Sequence, residues 1–216
     1  INNIDKIVKA AVDYVKYHGG KPFIVPAMGS HGGATADGQI HVLEKYGISE
    51  ETMGCEIRSD MEPVYLGDAE NSAPVYFDKN AYGAAGIIVV NRVKPHTDFL
   101  AENESGVVKM CAVGLGKEKG ATAMHGYSLG ETIPLSFKVS LEKAPYLAGL
   151  AIIENSMDET YMINALKPED FLEEEKKLLN IAKQQVPHFP VDQLDVLIVK
   201  EMGKMFSGTG VDTKVI

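Results

Sequence analysis

Apolar positions at helical spacing open the chain. Ile4, Ile7, Val8, Ala11, Val12 and Val15 recur every three or four residues, the stripe of an amphipathic helix. Gly19-Gly20 supply a left-handed stop behind it. Phe23-Ile24-Val25 then reads as a short buried strand. Thr35 stands where it can cap a helix whose apolar positions include Ile40, Leu43 and Tyr46, ended by Gly47. Val64-Tyr65-Leu66 and Pro74-Val75-Tyr76-Phe77 read as short strands on either side of a polar turn. Gly86-Ile87-Ile88-Val89-Val90 is the clearest buried strand, and Leu150-Ala151-Ile152-Ile153 is another. Pro168 suits the first turn of a helix with Phe171, Leu172, Leu178, Leu179 and Ala182 on its inner stripe. Glu173-Glu174-Glu175-Lys176-Lys177 is read as the solvated face of that helix.

Past the break at Pro187-His188-Phe189-Pro190, Val196-Leu197-Ile198-Val199 is expected to start a further strand. That strand leads to the glycine-rich run 203–210. Apolar strands alternating with helices predict an α/β architecture: a mainly parallel sheet flanked by helices, with the start of a second α/β domain at the C-terminus. The expected organisation is one domain over 1–190, with 191–216 as the beginning of a second domain or an inter-domain segment. The chain opens inside an amphipathic pattern without a methionine and stops just after a turn-rich segment, so it is read as a piece of a longer polypeptide.

Composition narrows the partners. With 216 residues, 45% hydrophobic and 24% charged, the chain has the profile of an ordinary globular protein able to build a core without staples. A formal charge of -9 argues against nucleic acid and against an anionic membrane surface, since both need clustered Lys and Arg. Arg58 and Arg92 are the only arginines, so an anion would fall to lysine, backbone amides or a helix N-terminus. Cys55 and Cys111 are too few for a disulfide framework or a structural zinc site. No apolar run long enough to span a bilayer and no signal peptide is legible, so the expected location is cytoplasmic.

Chemistry concentrates between Ser30 and Tyr127. His31 lies in Ser30-His31-Gly32-Gly33-Ala34-Thr35, and His96 in Asn91-Arg92-Val93-Lys94-Pro95-His96-Thr97-Asp98-Phe99. Both follow expected strands, where the loops of open α/β sheets gather ligand sites. His18, His41 and His188 sit at a helix end, on a helix and in a linker, where local hydrogen bonding accounts for them. Lys109 interrupts the apolar run Val107-Val108-Lys109-Met110, and a buried lysine needs a partner or a depressed pKa; a snorkelling lysine at a sheet edge is the plain alternative. His125 follows in Ala123-Met124-His125-Gly126-Tyr127. Gly114-Leu115-Gly116-Lys117-Glu118-Lys119-Gly120 lacks the Gly-Lys-Ser/Thr ending of a P-loop; it is either a flexible turn or a nest of amides for one phosphate.

The separations are 65 residues from His31 to His96, 13 to Lys109 and 16 to His125. That order resembles the nickel-pincer-nucleotide racemases, the lactate racemase family, over about 100 residues from Pro26 to Tyr127. The surrounding runs look like an uncharacterised branch and its N-terminal catalytic domain. The resemblance implies that Lys109 carries the thioamide-linked nucleotide, that His125 is the nickel ligand, and that His31 and His96 are the paired acid and base. It also implies cofactor-maturation proteins as partners and a small-molecule 2-hydroxy acid as substrate. Thr35, near a helix start, and Gly114 and Gly116 are candidates for holding the nucleotide phosphate. Lys204 is a further candidate, for pairing with a substrate carboxylate. The arginine and aspartate that grip substrate in lactate racemase have no convincing counterpart here.

The expected activity is therefore racemisation or epimerisation of a 2-hydroxy acid by proton-coupled hydride transfer. Protein side chains do not accept hydride, so a cofactor must. Two other readings compete: a non-catalytic nucleotide- and nickel-binding protein, and a metal-dependent hydrolase with His31, His96 and His125 around zinc. The second lacks an Asp or Glu at ligand spacing and leaves Lys109 unexplained.

Overall fold

The computed structural model describes residues 1–203 and 212. Helix α1, Ile4–Tyr17, forms where the apolar stripe predicts it and stops at Gly19, whose φ of +79° makes the left-handed turn. Its inner face packs on a small cluster around Ile48, Met53 and Ile57. Helix α2, Ala36–Lys45, is capped as expected, the Thr35 Oγ1 accepting from the Gly38 N–H at 3.1 Å. The short α3, Glu50–Met53, starts in a capping box between Ser49 and Thr52.

Strands β1, Pro63–Asp68, and β2, Pro74–Asp78, pair as an antiparallel hairpin followed by α4, Lys79–Tyr82. Strand β3, Ile87–Arg92, lies parallel to β4, Tyr146–Glu154, and β5, Thr160–Leu166, runs antiparallel on the other side of β4. Between β3 and β4 come α5, Val107–Lys109, a π-helical stretch, Met110–Gly114, then α6, Lys117–Met124, and α7, Leu129–Lys143. Helix α8, Phe171–Gln185, closes the order and packs on β4.

The main core joins both sheets to α5–α8. Phe137 and Phe171 stack at 5.6 Å and 17°, with Tyr146 tilted against both. Gly149 makes room for this: a Cβ there would lie 2.7 Å from the Phe171 ring. Lys117 starts α6 fully buried, its Nζ 2.8 Å from Asp78 Oδ2 and donating to the Pro26 carbonyl at 2.8 Å. That ion pair ties α6 to the end of β2 and to the strand-like segment before His31.

Several expectations need correction. The class is α/β, but pairing is mixed rather than mainly parallel: β3–β4 is parallel while β1–β2 and β4–β5 are antiparallel. The strand expected at Phe23–Val25 shrinks to one parallel bridge, Ile24 with Ile57. Val196–Val199 forms no strand, and its side chains are exposed because nothing among the described residues pairs with it. Lys204 and most of the run 203–210 lie outside the described residues. Glu175, read as water-facing, is 1% exposed. An apolar cleft of about 570 Å³ opens between α1 and β3, lined by Val8, Val12, Val25, Ile88 and Val90 among others. None of the candidate chemical residues lines it. Among the described residues, no helix is long and apolar enough to cross a membrane.

Candidate functional site

The loop leaving β3 is a closed structure. The Lys94 N–H donates to the Ser105 carbonyl at 3.0 Å and Asn91 Nδ2 to the Gly106 carbonyl at 2.8 Å, which ties the loop's two ends together. Inside it, the buried Glu104 accepts the His96 backbone N–H at 2.8 Å and pairs with Lys183 at 2.9 Å. His96 is thereby held at a defined height above β3, with its ring stacked on Phe99 at 4.2 Å and 27°. Its Nδ1 accepts from the Asp98 N–H at 3.1 Å, so hydrogen bonding assigns the neutral ring's proton to Nε2. Burial, and after it the charge of Lys109, lowers the His96 pKa to about 4.

Lys109 ends α5 and comes near the same aromatic ring. Its Nζ lies 5.6 Å from the Phe99 centroid, and among the described residues no carboxylate pairs with it. Half-burial, followed by the charge of Lys94, lowers its pKa to about 8, so roughly a tenth of this amine is unprotonated and nucleophilic at pH 7, far more than in an ordinary lysine. The sheet-edge alternative is not what the fold shows, since Lys109 sits on a helix.

His31 lies in a loop rich in left-handed backbone, most of it supplied by glycine. Gly29, Gly32 and Gly33 have φ of +58°, +67° and +67°, and a Cβ on Gly38 would fall 1.8 Å from the Gly32 carbonyl oxygen. The loop is therefore wrapped tightly on the first turn of α2, leaving the His31 side chain exposed. Buried Gln39 fastens it from below, its Nε2 donating to the carbonyls of Gly29 at 2.8 Å and His31 at 3.3 Å. The loop also rests on the π-helical stretch: the Gly29 N–H donates to Gly114 O at 3.0 Å, and a Cβ on Gly29 would meet that of Ala121 at 3.4 Å. His125, just past the end of α6, places its Nδ1 2.5 Å from the carbonyl of the same Ala121. Such a bond puts the proton on Nδ1 and leaves the Nε2 lone pair outward, the tautomer that metal-ligating histidines adopt.

The phosphate candidates fare differently. Thr35 spends its hydroxyl proton on the Gly32 carbonyl and its lone pair on the α2 cap. Gly114 ends the π-helical stretch and Gly116 stands in the turn before α6. The Gly116 N–H donates to Val113 O at 3.2 Å, and a Cβ on Gly114 would lie 2.4 Å from Ala27 O. At Gly114 the chain packs too closely for anything larger, while at Gly116 a Cβ would be a tight fit, 3.1 Å from Gly120.

Two groupings result. His96 and Lys109 share Phe99, while the His31 loop and His125 both abut Ala121; the run 107–124, helical except for a turn at 115–116 and a left-handed Lys117, links them. Gly130, at the start of α7, touches the Phe99–Ala101 turn, bringing the segment after His125 to the same side. Among the described residues, no three His, Cys, Asp or Glu side chains gather as a metal-ligand set. Sequence reasoning missed Glu104, Asn103 and Phe99, and misplaced Glu175.

The fold has a solved counterpart. The chain superposes on the lactate racemase apoprotein from Thermoanaerobacterium thermosaccharolyticum with a TM-score of 0.62 at 17% identity. The fold is similar to that of lactate racemase. The likeness takes in 81% of this chain and 45% of the racemase, so the chain spans less than half of that protein's length. No family model and no curated protein matches the sequence. Lys109 offers an amine without a carboxylate partner among the described residues, and His125 offers a lone pair whose tautomer is set by a backbone carbonyl.

Proposed function

We propose that this chain carries the catalytic residues of a racemase or epimerase of 2-hydroxy acids that uses a nickel-pincer nucleotide. The observation that carries the reading is the half-buried Lys109 amine, set beside His96 against Phe99 and lacking a carboxylate partner among the described residues. Lys109 would hold the nucleotide as a thioamide, and His125 would ligate nickel through Nε2. When bound, the group supplies the hydride acceptor that side chains lack.

The chain's own residues handle the proton. His31 and His96, from two different loops, each take or return the hydroxyl proton of one enantiomer. For His96 to serve as base through Nε2, its ring must exchange the Asp98 contact for the other tautomer, since Nε2 now holds the proton. Thioamide formation on Lys109 removes the positive charge that is the second cause of the lowered His96 pKa, and so moves that imidazole back toward useful acidity. The His31 loop, fixed by glycines and Gln39, keeps its imidazole accessible to a ligand. Partners consistent with this reading are a small 2-hydroxy acid and the proteins that make and deliver the nucleotide; nucleic acid and membranes are not among them.

The test is made on the full-length protein produced in a host with the nucleotide-making machinery. Intact mass and peptide mapping are expected to find a sulfur-bearing nucleotide on Lys109, absent from Lys109→Ala. His31→Ala and His96→Ala are expected to keep the adduct and to lose exchange of the hydroxy-acid stereocentre. Unmodified Lys109 in that host, or near-normal rates in either histidine variant, would overturn the assignment. One feature favours a non-catalytic carrier instead: His96 is strongly biased to its neutral form, with Nδ1 engaged. An adduct without exchange across a substrate panel would decide for the carrier.

A further inference from the structure

We propose that Glu175 is the positioning residue for Lys109: from α8, its carboxylate pins the first turn of α5 and so holds the amine against Phe99 and His96. The proposal rests on the reading of Lys109 as the tether. Helix α5 runs directly into the π-helical stretch and is anchored in the core by the fully buried Val107 and Val108, but the amides of its first turn have no helical acceptor. Side chains that grip this start therefore add to what sets the position of Lys109.

Glu175 is the grip. One carboxylate oxygen accepts the Val108 N–H at 3.0 Å and the other accepts from Asn103 Nδ2 at 3.3 Å; Asn103 also donates to the Leu172 carbonyl. Gly106, the residue before α5, is clasped from both sides. Asn91 holds its carbonyl, and a Cβ would lie 2.3 Å from the Glu175 Oε2. Only glycine lets the carboxylate come this close. An apolar residue would fill the same place on α8 without desolvating a charge, and the neighbours Phe171, Leu178 and Leu179 do so. A carboxyl group at this position serves the amides it receives.

Trace acetylation of the unloaded full-length protein with acetic anhydride, across a pH series and read at the Lys109 peptide, tests the idea. The wild-type midpoint is expected near pH 8. In Glu175→Ala, α5 is released and Lys109 gains solvent. Its midpoint then moves toward the ordinary lysine value of about 10.4, and labelling at pH 8 falls by on the order of 100-fold. Glu175→Gln keeps an acceptor oxygen and is expected to hold the wild-type midpoint, a rescue that simple volume filling would not require. Gly106→Ala, which drives a Cβ into the carboxylate from the other side, is expected to shift the midpoint as Glu175→Ala does. It carries the test should the latter fail to fold. An unchanged midpoint in either folded variant, or an ordinary lysine midpoint in the wild type, overturns the positioning role. Failure of the tether reading is seen separately, as a missing adduct on wild-type protein from the loading host.

Discussion

His96 and Lys109 are neighbours that share the Phe99 ring. The charge of Lys109 disfavours that of His96, so removing it changes the imidazole. Lys109→Gln is expected to raise the His96 pKa from about 4, though not to the ordinary 6.5, because burial is the larger cause and persists. Ring NMR titration reads this directly, and an unmoved value would show that the two groups do not sense each other. Glu175 titrates in the opposite sense: burial raises it from 4.5 to about 7, against the pull of the Val108 and Asn103 hydrogen bonds. The folded protein therefore holds this proton where the unfolded chain has lost it, and stability drains away as pH climbs from about 4.5 to 7. Glu175→Gln removes that slope and is expected to be more stable than wild type at pH 8, by up to a few kcal/mol, with little difference at pH 4.5. Urea midpoints at the two pH values check it. A Gln variant weaker at both would mean that the carboxylate stays charged throughout.

Among the elements, the His31 loop and the start of α6 are where backbone geometry is least forgiving. Gly38→Ala has no space, with backbone 1.8 Å away, and is expected to unseat the loop. Gly33→Ala meets nothing within 4 Å but keeps a left-handed φ, which costs about 1–2 kcal/mol. Comparing the two by thermal unfolding separates crowding from conformational strain; equal losses would mean that strain alone governs the loop. At α6, Asp78→Ala leaves Lys117 charged and buried, and is expected to cost about 3–5 kcal/mol in denaturant titration. A loss within measurement error would show that Lys117 finds another partner. Helix α7 escaped the sequence because its inner face is built from Thr132, Ser136 and Ser140 beside Ile133 and Phe137, which blurs the apolar period. Strand β5 escaped because Tyr161 and Ile163 face solvent while Met162 and Leu166 face inward, so apolar residues occupy both faces. Glu175 was legible after all. It lies four residues after Phe171 and three before Leu178, on the inner face by helical geometry, but a run of like charges drew the eye to water.

For the molecule as a whole, the chemical residues sit on one linked helical stretch and its neighbouring loops, away from the large apolar cleft beside α1. Loaded full-length protein is expected to lose nickel in His125→Ala while keeping the nucleotide on Lys109, by metal analysis and intact mass; nickel retained at the wild-type level would remove His125 from the ligand set. Periodicity by itself determined α1, α2, α8 and the strands β1 to β4, because these depend on spacing that is local along the chain. The order of histidines and lysine suggested a family resemblance without any coordinates, while leaving competing readings open. Strand pairing was another matter: β5 returns antiparallel on β4 only because that edge is open, and no local pattern records an edge. Nor does a local pattern record Glu104 reaching the His96 amide or Glu175 reaching α5 across 67 residues. Burial and hydrogen bonding between distant segments set those contacts, and with them the protonation of His96 and Lys109, which no stretch of sequence states.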